Sequence, residues 1–335
     1  MLKRTLTSIA LIAFAAVFMV CGYFVSPIFI EVLVWLFLAG ATYEMFKCLK
    51  GAGYKMFILP PLFALICGYP LFAVGKYVLA LYFIGGIYGL LCVFFVCIVM
   101  CFTIFTFKPA KHTAMEIKKA REDGIQLEAE AKGACGLKDL FANIFIIVYP
   151  MCFMALAWVI GDLGFGTFVT ILFAIIVPIL GSDMFAYFFG SLIGGKKLCP
   201  KISPKKTVAG AIGGIIGGMV MALMFWLVFE LFASNYPDFI SNSEYISIIR
   251  HSVSGWQVKS AFSYLAIGAA CGIMSELGDL AASRIKRAIG IKDYGKIFPG
   301  HGGFMDRIDS VMYCLVTLLV VYIIRIVIMR CTLPV

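Results

Sequence analysis

Apolar residues fall in long blocks separated by short polar stretches. Nine such blocks run over roughly 6–25, 27–43, 56–75, 77–105, 141–160, 165–188, 208–232, 260–282 and 309–330. Most approach the ~20 residues needed to cross a bilayer core as a helix. They lack the period-2 alternation of a half-buried strand. The pattern predicts an all-α polytopic membrane protein with about nine transmembrane helices. The first two blocks join at a tight turn around Ser26-Pro27, and the overlong fourth has room to break at Gly85-Gly86.

Composition agrees, with 62% hydrophobic and 14% charged residues among 335 and a mean hydropathy of +1.01. The net charge of +10 sits mainly in a few short segments, which excludes a nucleic-acid-binding reading. Lys3 and Arg4, three lysines in 44–55, seven Lys/Arg in 108–139, five lysines in 190–206 and six Lys/Arg in 283–307 all fall on one side of a nine-span chain. By the positive-inside rule that side is the cytoplasm, with the N-terminus inside and the C-terminus outside. The chain divides into N-terminal transmembrane helices (1–107), a charged cytoplasmic segment (108–139) and a transmembrane catalytic region (140–335) with cytoplasmic loops at 190–206 and 283–307. The first block reads as a membrane helix, because no convincing small-residue cleavage site follows it. The twelve cysteines show no CxxC pair and read as small buried hydrophobes.

Two of the polar segments carry candidate chemistry. In the first, Asp183 lies near the end of the sixth block. Ser203-Pro204-Lys205-Lys206-Thr207 then opens the seventh, with Ser203 or Thr207 as helix cap and Pro204 near the first turn. A helix start with two lysines makes an anion site. In the second segment, Glu276, Asp279 and Ser283 share one helix face at i, i+3 and i+7, and Asp306 and Asp309 are spaced i, i+3 at the start of the last block. Asp279, Asp306 and Asp309 are therefore expected to converge at two helix ends. Carboxylates so close repel unless a cation sits among them, and Mg²⁺ suits such hard oxygen ligands. His301, between Pro299-Gly300 and Gly302-Gly303, is placed to bind phosphate through a hydrogen bond. Gly213-Gly214 and Gly217-Gly218 predict close helix packing.

The run Ser283-Arg-Ile-Lys286-Arg287, Lys292-Asp293, Pro299-Gly-His301-Gly302-Gly303 and Asp306-Arg307-Ile-Asp309 resembles the signature of the phosphatidate cytidylyltransferase (CDP-diacylglycerol synthase) family. The upstream S-D-x-x-A-Y-x-x-G and S-P-K-K-T elements are similar to the same family's middle region, with departures at Ala209 and Ser191. The resemblance covers roughly 181–310. It implies an enzyme that joins CTP to phosphatidate and releases pyrophosphate at the cytoplasmic face of the plasma membrane. It implies Mg²⁺ on Asp279, Asp306 and Asp309, with room for a second cation, and a catalytic part for Asp293. Asp183, Ser203, Lys205, Lys206, Thr207, Ser283, Lys286, Arg287, Lys292, His301, Gly302, Gly303 and Arg307 become candidate substrate contacts. Membrane lipids and a second copy of the chain, as a homodimer, are the other expected partners. The alternatives are a CTP-dependent polyprenol- or phytol-type lipid kinase and, from another class, an ion-coupled secondary transporter. Transporter sites usually lie near the bilayer midplane, whereas these acids cluster at span ends.

Overall fold

Segments apolar on every side become helices because a bilayer offers no partner for an open backbone N–H or C=O. The computed structural model describes residues 13–22, 24–26, 28–78, 85–107, 136–161, 167–235, 257–298 and 302–332. In order these form α1 (Ala13–Gly22), α2 (Ile28–Gly51), α3 (Leu59–Val78), α4 (Gly85–Phe107), α5 (Leu137–Ile146), α6 (Phe153–Ile160), α7 (Thr167–Ile175), α8 (Met184–Leu192), α9 (Val208–Asn235), α10 (Gln257–Ala288) and α11 (Met305–Thr332). Among the described residues seven helical stretches are long and apolar enough to cross a membrane, and α1 and part of α3 are shorter apolar helices. The chain is thus a mostly helical, multi-pass membrane protein. Large apolar side chains cover its outside, Phe95 at 68% exposure and Phe262 at 66% among them. Such a coat suits lipid contact and would be untenable in water.

Three features differ from the sequence reading. Lys197–Cys199 (β1) and Ser203–Thr207 (β2) form an antiparallel hairpin, so the fold is not purely α-helical. Pro204, expected in the first turn of a helix, lies in β2 instead. A two-stranded ribbon has a free edge on each strand, where a residue without an N–H is tolerated. Second, α10 runs past its apolar stretch, so that Ser283 lies on the helix face expected of it, and Lys286 and Arg287 lie on its last turn, where a loop was expected. Third, the fifth and sixth spans contain π-helical turns, Ile147–Cys152 around Pro150 and Ile176–Asp183 around Pro178. A proline lacks the N–H of the i→i−4 bond and crowds the preceding turn, and a wider turn relieves both.

The chain forms two compact units, Met1–Ala41 with Phe153–Val335, and Thr42–Cys152. In the second unit α3 packs on α4. Asn143 ties the polar segment before α3 to α5: its Oδ1 accepts from Phe57 N at 2.6 Å, and its Nδ2 donates to the carbonyls of Lys55 and Asp139 at 2.8 and 2.7 Å. In the first unit α9 packs against α8, α10 and the second π turn, and α10 packs against α11. Small residues allow the close approach. A Cβ added to Gly218 would meet the Gly268 carbonyl at 2.5 Å. The greater part of the charged segment, 108–135, lies outside the described residues, as does His301.

Candidate functional site

The hairpin decides which way its lysines point. Lys205 is exposed, whereas Lys206 is half-buried and turns inward. Thr207 ends the strand and caps α9, its Oγ1 accepting from Gly210 N at 3.0 Å. This is the N-cap geometry expected of Ser203 or Thr207, and Thr207 supplies it. Ser203 instead pairs with Cys199 in the ribbon.

Lys206 reaches α10. Its Nζ lies 2.5 Å from Glu276 Oε2 and 2.8 Å from Asp279 Oδ2. Burial alone would lower its pKa, but Asp279 and Glu276 outweigh burial and hold it above the usual lysine value. Ser283, one turn beyond Asp279, places its Oγ 3.5 Å from Asp279 Oδ1. Asp183, at the end of the second π turn, lies within electrostatic reach of Asp309, Asp279, Lys206 and Glu276. It is exposed.

The start of α11 closes the other flank. Asp306 Oδ1 accepts from Lys286 Nζ at 2.9 Å, while Oδ2 accepts from the backbone N–H groups of Tyr294 (2.9 Å) and Gly303 (3.0 Å). Lys286 also lies 5.3 Å from the centre of the Tyr294 ring, a cation–π distance, and the Tyr294 hydroxyl donates to the Ala282 carbonyl at 3.1 Å. Gly302 has φ +83°, and a Cβ there would lie 2.7 Å from Asp306 Oδ2. Glycine at 302 thus serves the turn around Asp306. Asp309, buried, is within electrostatic reach of Asp279, Lys286 and Asp306. Gly278 permits this, since a Cβ on it would stand 2.6 Å from the Asp309 carbonyl.

These interactions bring Asp183, Lys206, Asp279, Ser283, Lys286, Asp306 and Asp309 together. Lys292 and Asp293 are exposed on the loop after α10. Arg287 donates at 3.4 Å to the Ile291 carbonyl, the position of a helix-end cap. Arg307 is half-buried and Gly303 buried. Two residues join the site that the sequence reading did not assign to it. Glu276 was visible on the face of Asp279, and a charge inside an apolar block was its signal. Tyr294 had no signal of its own, because its contribution is a backbone N–H and a ring face.

Five carboxyl groups thus meet two ammonium groups in these interactions. Their hard oxygens suit Mg²⁺ in donor chemistry, since positive charge is required between them. Among the described residues, however, no three His, Cys, Asp or Glu side chains lie together at metal-binding spacing. Lys206 and Lys286 provide the positive charge in this arrangement.

The Cytidylyltransferase family matches residues 2–326. A phosphatidate cytidylyltransferase of Mycobacterium bovis is 27% identical over 315 residues, 91% of this chain and 82% of that protein. One of Brucella abortus is 36% identical over 159 residues, 48% of each. One of Synechocystis is 45% identical over 58 residues, 17% of this chain and 18% of that protein. The match thus spans about half the length of the Brucella relative and most of the mycobacterial one. With nearly its whole length matched, the chain belongs to the Cytidylyltransferase family.

Proposed function

We propose that this protein transfers the cytidylyl group of CTP to phosphatidate, giving CDP-diacylglycerol and pyrophosphate. The observation that carries the reading is the gathering of Lys206 from β2 and Lys286 from α10 among carboxylates at adjoining helix ends beside the accessible Asp183. An oxygen of the lipid phosphate attacks the α-phosphorus of CTP in line. A new P–O bond forms, the bond to the bridging oxygen of the β-phosphate breaks, and pyrophosphate leaves with the electron pair. The attacking oxygen is already ionised, so no covalent enzyme intermediate is required. Catalysis is then positioning and charge neutralisation.

An ammonium has three N–H donors. Glu276 and Asp279 engage two of those on Lys206, leaving one for a phosphate oxygen. Lys286, Lys205, Arg287, Lys292 and Arg307 are the further cations we assign to the triphosphate and the lipid phosphate, with His301 as a donor. Asp279 and Asp309 would hold Mg²⁺, which when bound would supply charge neutralisation for the leaving pyrophosphate, while Asp306, expected beside them as a third ligand, is engaged by Lys286 and two backbone N–H groups. We further propose nine spans with a cytoplasmic N-terminus in the plasma membrane. CTP is cytosolic, so the hairpin and the end of α10 face the cytoplasm, while the acyl chains remain in the bilayer.

The test is detergent-purified protein with labelled CTP, phosphatidate and Mg²⁺. Label in the lipid phase with one pyrophosphate released per lipid supports the reading. Release of CDP in place of pyrophosphate would redirect it to a lipid kinase.

A further inference from the structure

The two carboxylates that hold Lys206 are unequal. Asp279 keeps 32% of its side chain accessible, whereas Glu276 keeps 9%. Glu276 sits nearly one turn deeper on α10, inside the membrane-spanning stretch Ala261–Ala288. A Cβ added to Gly214 would stand 2.9 Å from Glu276 Oε1 and 2.9 Å from Ser182 Oγ. At this point α9 presents no side chain, and the Glu276 carboxylate lies against the gap. A carboxylate buried in a spanning helix is costly unless partnered. Its partner is one ammonium arriving from 70 residues away.

We propose that Glu276 is a positioning residue that anchors the Lys206 ammonium from the inner side, so that Lys206 grips a substrate phosphate at the mouth of the site while Asp279 is the exchangeable partner. The division follows from burial. The inner carboxylate has no other cation to turn to in the interactions above, and the outer one is the more accessible. This rests on the reading of the site as one that handles phosphate. The phosphate belongs either to CTP or to phosphatidate, and kinetics with each separates the two.

The experiment compares full-length wild type with Glu276→Gln, Lys206→Met, the double variant and Glu276→Asp. Initial rates are taken while CTP and phosphatidate are varied in turn, and thermal protection by each substrate is measured alone. Glu276→Gln should raise the KM for one phosphate substrate roughly tenfold, the scale of one charge-assisted hydrogen bond, with kcat changed far less. The double variant should be no worse than Lys206→Met, because Glu276 acts only through that lysine. Glu276→Asp restores the charge and should recover most of the KM. It also covers the case in which Glu276→Gln does not fold. Additive losses in the double variant, a lower kcat with both KM values unchanged, or no recovery in a folded Glu276→Asp would overturn the proposal. If wild type releases no pyrophosphate, cytidylyl transfer fails on its own. The Glu276 inference is then judged by thermal protection. It stands if Glu276→Gln and Lys206→Met lose the same protection and falls if Glu276→Gln matches wild type.

Discussion

Two lysine–carboxylate contacts of nearly equal length flank the site. Lys206 lies 2.8 Å from Asp279, and Lys286 lies 2.9 Å from Asp306. In the second pair the carboxylate is saturated. Asp306 takes Lys286 on one oxygen and two backbone N–H groups on the other, with 7% of its side chain accessible. In the first pair it is the lysine that is shared, between a buried glutamate and an accessible aspartate. A saturated carboxylate ties a loop down, and releasing it costs several bonds at once. A shared lysine beside an open carboxylate changes partner at lower cost. Charge and distance do not distinguish a staple from a working site. The number of donors already engaged does.

The largest effect we expect is on the open pair. Asp279→Asn removes charge where the phosphates and a divalent cation would meet, and the rate of lipid labelling should fall on the order of 10³-fold. Thermal unfolding should stay near that of wild type. A loss of thermal stability as large as that of an Asp306 variant would erase the contrast.

Asp306→Asn should act the other way round. It strands Lys286 and weakens the loop carrying Tyr294 and Gly303, at a cost of about 3 kcal/mol, as for breaking a buried charged pair. Chemical or thermal unfolding measures this, and activity should decline with it. Unchanged stability with lost activity would move Asp306 from the staple to the reacting centre.

Gly302→Ala tests the same clasp from the backbone side. At φ +83°, with its Cβ crowding Asp306, alanine should destabilise by about 1–2 kcal/mol. Thermal unfolding in detergent reads it, and a wild-type midpoint would show that the loop does not need this conformation.

The smallest effect should come from Lys205→Ala. Its side chain is exposed, and exposed charges contribute about 0–1 kcal/mol, less in high salt. The KM for CTP should shift by only a small factor, against the larger shift expected of Lys206→Ala. Equal effects from the two lysines would mean that the inward turn of Lys206 does not matter to binding.

Some of this was legible in the sequence and some was not. The acids at 279, 306 and 309 were expected at two helix ends; Asp306 and Asp309 do open α11, whereas Asp279 lies more than two turns inside α10, which runs on to Ala288. Spacing alone put Asp306 and Asp309 on a common face, but Asp306 is drawn to the loop because two backbone N–H groups compete for it. Ser203–Thr207 has no apolar alternation and begins just before a long apolar block, so it reads as a helix start. It becomes a strand only by pairing with Lys197–Cys199. Pro150 and Pro178 were visible as helix breakers in principle, yet the π turns that absorb them depend on the packed neighbours.

The sequence by itself determined the membrane-spanning helices and the motif residues. In lipid a backbone must satisfy its own hydrogen bonds locally, so the length and hydropathy of a segment suffice to make it a helix. The tertiary structure alone decided that Lys206 and not Lys205 enters the site, that Glu276 holds it, and that Asp306 closes a loop. Those outcomes are partner choices between distant groups, Lys206 and Glu276 being 70 residues apart, set by the pairing of two short strands and by glycines that let helices touch. No local pattern in the chain encodes which of several nearby charges a buried ammonium will meet.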